Sequence, residues 1–305
     1  MEQQPEELYE LDPATTPDVG GAAMLVHLEG FMDAGAAGRL LTEHLLDAFD
    51  HKTVARFDTD RLLDYRSRRP LMTFDDGHWE SYERPELAIH LVSDANDKPF
   101  LLLTGPEPDH EWELFVAAVR SLTQRLGAGP MITYFGVPMG IPHTRPLGVI
   151  THATRPGLVT PKVPLPSKLQ VPASASALME FRFGEAGLDA IGFVVQVPHY
   201  LAQAAYPTAS LTLLDSVLET TGLDLPALEL REAADRTNTL IDRQVAESSE
   251  VADLVRGLEQ QYDAAVAAAE SEDLLAEGEQ MPTADELAAQ FEQFLAEQQR
   301  GDSDR

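Results

Sequence analysis

A chain of 305 residues can bury a substantial core, as one large domain or two ordinary ones. Its 51 acidic residues against 22 Lys and Arg give a formal net charge of −29, which argues against nucleic acid as a partner, and the absence of Cys excludes disulfides, thiolate nucleophiles, Cys-ligated zinc and iron–sulfur clusters. No apolar run approaches the ~20 residues of a membrane span, and Met1 to Asp12 lacks the basic and apolar regions of a secretion signal, so a cytoplasmic location is expected.

Residues 1–21 are acidic, rich in Pro and Thr and without apolar periodicity, and read as a mobile arm. Ala23 to Glu29 has the pattern of a buried strand, Gly30-Phe31-Met32 turns the chain, and Asp33 is placed to cap a helix through Leu40, Leu41, Leu45 and Phe49. Thr53 to Thr59 resumes a strand pattern. Leu71 to Phe74 and His78 to Tyr82 form a hairpin around Asp75-Asp76-Gly77. Leu87 to Val92 and Phe100 to Thr104 are further apolar strands, and Asp109 is expected to cap a helix carrying Trp112, Phe115, Val119 and Leu122. Met131 to Val137 and Leu147 to Thr151 are strands joined by a Pro-rich connection, and five prolines keep Arg155 to Pro172 irregular. A short helix over Ser176 to Phe183, a strand over Ala190 to Val197 and a helix over Ser210 to Thr220 complete an α/β domain at residues 22–225.

From Pro226 strand signals disappear. Residues 226–270 read as a helical extension, and residues 271–305 as a linker, a short amphipathic helix over Ala284 to Glu297 and a disordered acidic tail. From Glu229 onward 20 acidic residues face 6 basic ones, so only a narrow stripe of these helices can pack.

Gly30, Gly35 and Gly38 open a helix after a strand, as glycines do beneath a bound pyrophosphate, but their spacing is not G-x-G-x-x-G. Close packing of helix on sheet explains them better. Polar His143 and Arg145 follow a strand exit, where ligands of α/β sheets bind, and His199 follows another. Chemistry there would use His143 as general acid or base, Arg145 to clamp an anion, and Asp33 or Glu107 to orient the imidazole, with His199 nearby. Bracing of loops by the same groups is the simpler alternative. No HExxH, HxH or Walker-type pattern appears, His27 fits a satisfied core residue, and no metal or other cofactor is expected.

Four motifs in order resemble the proteasome assembly chaperone 2 family: Leu28-Glu29-Gly30-Phe31-Met32-Asp33-Ala34-Gly35; Leu103-Thr104-Gly105-Pro106-Glu107-Pro108 with Trp112; Gly136-Val137-Pro138 leading to Pro142-His143-Thr144-Arg145-Pro146; and Pro198-His199-Tyr200 with Pro207 to Leu214. The resemblance implies a three-layer phosphorylase- or hydrolase-like α/β sandwich with a mostly parallel sheet, homo-oligomers such as trimers, and protein partners such as proteasome α-subunits. It further implies the bacterial form of the family, with a helical C-terminal extension. Chaperones that dock into α-ring pockets often end in a hydrophobic residue, a Tyr and a last residue, whereas this chain ends Ser303-Asp304-Arg305, a departure that gives tail docking no support. The expectation is a protein-binding factor without catalytic chemistry. The competing reading is a small-ligand binder or phosphorylase-like enzyme using Asp33, Glu107, His143, Arg145 and His199.

Overall fold

The computed structural model describes residues 4–12, 19–30, 32–160, 163 and 168–278, with side chains up to residue 268. Two compact units divide the chain, residues 1–256 and 257–305. Ten strands are described: β1 Tyr9–Leu11, β2 Met24–Glu29, β3 His51–Phe57, β4 Met72–Asp75, β5 His78–Tyr82, β6 Ala88–Ser93, β7 Pro99–Pro106, β8 Met131–Met139, β9 Val149–Ala153 and β10 Ala190–Pro198. The helices are α1 Ala37–Ala48, α2 Thr59–Leu62, α3 Trp112–Arg125, α4 Ala175–Glu185, α5 Pro207–Thr221, α6 Leu228–Glu247 and α7 Ser249–Gly278.

Eight strands form one sheet in the order β1-β3-β6-β7-β2-β8-β10-β9, and β4 with β5 forms a separate two-stranded sheet. The pairs β7–β2, β2–β8 and β8–β10 are parallel, so four adjacent central strands leave the sheet at one carboxyl edge. The flanking pairs are antiparallel. Both faces of the sheet are covered, which is why the central strands read as nearly unbroken apolar runs. Alternation of side chains along each strand sorts them into two cores. On one face Leu25, Phe100, Leu102, Ile132, Phe193 and Val195 pack with Leu41 and Leu45 of α1 and Leu213 of α5. On the other, Met24, Val26, Leu101, Leu103 and Met131 pack with Phe115 and Val119 of α3 and Met179 and Phe183 of α4. This is the expected α/β sandwich with a mostly parallel sheet.

Three expectations are corrected. The acidic opening is not a free arm throughout: Pro5–Leu8 forms a 3-10 turn with Leu8 fully buried, and β1 pairs with β3 through Tyr9↔Phe57 and Leu11↔Ala55. Apolar residues at positions 8, 9 and 11 suffice to seal a sheet edge, too short a run for periodicity to register. Asp109 does not cap α3, whose preceding residue is Glu111 in the left-handed region at φ 54°. Its carboxylate instead accepts the Asp64 backbone N–H at 2.8 Å and the Arg68 guanidinium at 2.6 Å. At the head of the extension, α6 packs on α5 and buries Leu230 and Ile241 in the core of the first face. The expected linker at residue 271 is helical as far as Gly278, and the expected helix over Ala284 to Glu297 lies outside the described residues.

Candidate functional site

The expected site residues gather along the carboxyl edge of the central strands, and each is engaged differently. Asp33 follows β2 and faces the start of α1. Its carboxylate accepts backbone N–H groups from Gly38 at 2.9 Å and Arg39 at 3.0 Å, and from Gly136 of β8 at 3.0 Å. The donors at the N-terminus of α1 therefore already hold an anion, and it belongs to the protein. The glycines make this closeness possible. A Cβ on Gly38 would stand 2.4 Å from the His27 ring, and one on Gly136 would stand 2.2 Å from the Ala34 carbonyl oxygen. Gly35, at φ 69°, donates its N–H to the Ala202 carbonyl at 2.9 Å and accepts the Tyr206 N–H at 2.8 Å, tying the α1 entry to the chain after β10. The glycines of this turn thus serve close approach of helix, strand and loop.

Glu107, buried where β7 ends, reaches across to α4 and accepts the Ala175 backbone N–H at 2.6 Å. Its side chain occupies the space a Cβ on Gly30 would need. His143 has a nearly solvent-free side chain, 3 % exposed, between two segments distant in sequence. The Tyr200 hydroxyl accepts the His143 backbone N–H at 2.8 Å and lies 2.7 Å from Nδ1, while Nε2 lies 3.2 Å from Oδ1 of Asp242 on α6. One arrangement satisfies all three contacts: the phenol donates to Nδ1 and the Nε2–H donates to Asp242. Carboxylate, imidazole and hydroxyl stand in the order of a hydrolase relay. Here, however, the hydroxyl is a phenol that also accepts a backbone N–H, and the imidazole is closed to solvent. Arg145 donates to the Thr144 carbonyl at 3.4 Å from a half-buried position, and His199 is exposed with its ring edge-on to Tyr200.

Behind this edge, His27 is buried on β2 with its ring stacked on Tyr134. Nδ1 lies 3.4 Å from the Tyr134 carbonyl oxygen, and Nε2 has no hydrogen-bond partner, 3.8 Å from Asp33 Oδ2. The expectation of a satisfied core histidine therefore holds for its place and fails for its bonding. Burial pushes the imidazole below its ordinary pKa, against the pull of the Asp33 carboxylate in the other direction. The Tyr134 hydroxyl pairs with Thr42 at 2.8 Å, and burial raises its pKa.

Asp33, Glu107, His143, Arg145 and His199 line neither of two surface cavities of about 540 and 590 Å³. Among the described residues no cluster of three or more His, Cys, Asp or Glu could hold a metal ion, and no helix is long and apolar enough to cross a membrane. Tyr200 and Asp242, the partners of His143, escaped sequence reasoning because they lie 57 and 99 residues away. The tyrosine stood within a quoted motif, but no local pattern marked Asp242 among the other acids of the extension.

These features define a three-layer α/β protein whose central strand ends are bonded internally. Residues 27–245 match the model of the PAC2 family. The chain belongs to the PAC2 family, the proteasome assembly chaperone 2 family that its motifs resemble. It is similar to a solved Mycobacterium tuberculosis protein of unknown function, at 45% identity over 90% of this chain and 95% of that one, with a TM-score of 0.84. A Corynebacterium glutamicum protein of unknown function is similar at 39% identity over 85% and 98%, with a TM-score of 0.81. The fold is shared with a Mycobacterium tuberculosis proteasome-assembly chaperone homologue, at 24% identity over 76% and 99% and a TM-score of 0.70. No curated protein matches the chain.

Proposed function

We propose that this chain is a protein-binding, proteasome-assembly-chaperone-like factor that works as a homo-oligomer, with the strand-end polar groups serving as braces. Family membership and the fold shared with a proteasome-assembly chaperone homologue support the class of function. The observation that carries the reading is the β4–β5 hairpin, whose residues are all exposed. Leu71, Met72, Phe74, Trp79 and Tyr82 lie open to solvent, with Phe74 58 % and Trp79 63 % exposed and their rings edge-to-face at 5.1 Å. A lone two-stranded ribbon is marginally stable in water, and a contiguous apolar patch of this kind marks a contact surface.

A second copy is the occupant this reading commits to, because the family resemblance implies homo-oligomers and burial of this patch in a symmetric contact would remove it from water. The oligomer then presents repeated binding faces to an external protein such as a proteasome α-subunit. Light scattering on the purified chain tests self-association: an oligomer is expected, a trimer by the family resemblance, and Phe74→Ser with Trp79→Ser should give folded monomers. Monomeric wild-type protein would overturn it. Capture of purified proteasome α-subunits by the wild-type chain tests the partner, and failure there would remove the chaperone role while leaving self-association standing.

The enzymatic alternative rests on the Asp242–His143–Tyr200 arrangement. Turnover of a nucleoside or ester that disappears in His143→Ala would establish it over the bracing role.

A further inference from the structure

The carboxyl edge extends beyond the four central strands. β3 is antiparallel to β6, and β6 to β7, so β3 runs with the central strands and ends at the same edge, near the outer margin of the sheet. There the chain of β1, the exit of β3 and the approach to β6 border the open surface cavity of about 540 Å³, within the ~300–1,000 Å³ usual for small-molecule sites. Tyr9, Phe57 and Leu87 supply apolar wall, and the Tyr9 hydroxyl is buried without a hydrogen-bond partner.

Charge around this cavity is incompletely paired. Arg56 is bonded to Glu86 at 2.8 Å, and Asp58 accepts the Asp60 N–H at the start of α2, so these groups are already engaged. Arg84, Glu7 and Glu10 also line the cavity, and among the described residues none of the three has an ion-pair or hydrogen-bond partner for its charged group. One free cation and two free carboxylates, set on an apolar wall, are complementary to a ligand with one carboxylate and two cationic groups.

We propose that this margin binds a free basic α-amino acid, lysine or arginine. The ligand carboxylate pairs with Arg84, its α-ammonium and basic side-chain end with Glu7 and Glu10, and its methylene stem lies against Tyr9 and Phe57. Arg–carboxylate pairing suits the first contact because the guanidinium fork matches the two oxygens. The site is separate from the central strand ends and needs no residue from the braces described above.

Isothermal titration of the full chain with l-arginine, l-lysine, l-leucine and l-glutamate tests the proposal at low ionic strength. Saturable binding of arginine and lysine is expected, with leucine and glutamate weaker by about tenfold or more. Arg84→Ala and Glu10→Gln, both exposed and so compatible with folding, should each weaken arginine binding about tenfold, while Arg231→Ala, exposed on α6, leaves it unchanged. Hydrogen exchange should show ligand protection at residues 7–10 and 84–87. Absence of saturable binding, equal affinity for glutamate, or undiminished binding by both variants would overturn the proposal. So would a change of oligomeric state in Arg84→Ala, with no ligand response in either protein, since the margin would then be a contact between copies.

Discussion

Two regions of this molecule treat their conspicuous side chains in opposite ways. At the carboxyl edge of β2, β7 and β8, Asp33, Glu107 and His143 each bond to groups on another element, and glycines let the backbones approach within reach. At the β4–β5 hairpin, aromatic and aliphatic side chains stand in solvent and pair chiefly with one another. The polar groups of the first region are bonded within the protomer, whereas the apolar groups of the second are left in solvent.

Substitutions separate the two regions by the size of their effects on the protomer. Gly136→Ala should be the most damaging, because its Cβ would meet the Ala34 carbonyl, a backbone atom that cannot swing aside. Chemical denaturation should show a loss of about 3 kcal/mol, the upper end for overpacking. Asp33→Ala removes the acceptor for three backbone N–H groups and should cost about 2–3 kcal/mol, with Asp33→Asn costing less because one acceptor oxygen remains. Little loss in Asp33→Ala would mean that the carboxylate is held for chemistry rather than for bracing.

The His27 imidazole yields a smaller, pH-dependent effect. Its folded pKa is depressed by burial, so above the unfolded value of about 6.5 both states are neutral and the group adds no pH dependence. As pH falls below that value the unfolded chain takes up a proton that the folded chain resists, and stability declines until the folded pKa is reached. His90, depressed by burial as well, acts in the same direction. Melting curves should therefore fall from pH 7 toward pH 5 with a slope of at most about 1.4 kcal/mol per pH unit for each histidine, and His27→Gln should flatten part of it. An unchanged slope in that variant would show that His27 takes up its proton alike in the folded and unfolded chain. Trp79→Ser is expected to matter least to the protomer, shifting the stability of the monomeric form by within about 0.5 kcal/mol while diminishing self-association.

Much of this architecture was legible locally. Nearly continuous apolar runs marked the central strands, Asp75-Asp76-Gly77 marked the hairpin, and Asp33 followed by a helical pattern marked the entry to α1. Where local reading failed, a long-range contact had intervened: Asp109 was drawn from the α3 start by Asp64 and Arg68, and the acidic opening was captured as an edge strand by β3.

By itself the amino-acid sequence determined the class of fold, the family and the set of polar residues at the strand exits, because apolar strand runs, turn residues and motifs are encoded within a few positions. Only the tertiary structure decided what those residues do. Asp33 meets Gly136 across 103 positions, Glu107 meets Ala175 across 68 and His143 meets Asp242 across 99. Whether a carboxylate or imidazole is a free reagent or a brace depends on which distant donor or acceptor the fold delivers to it, and no local pattern carries that information.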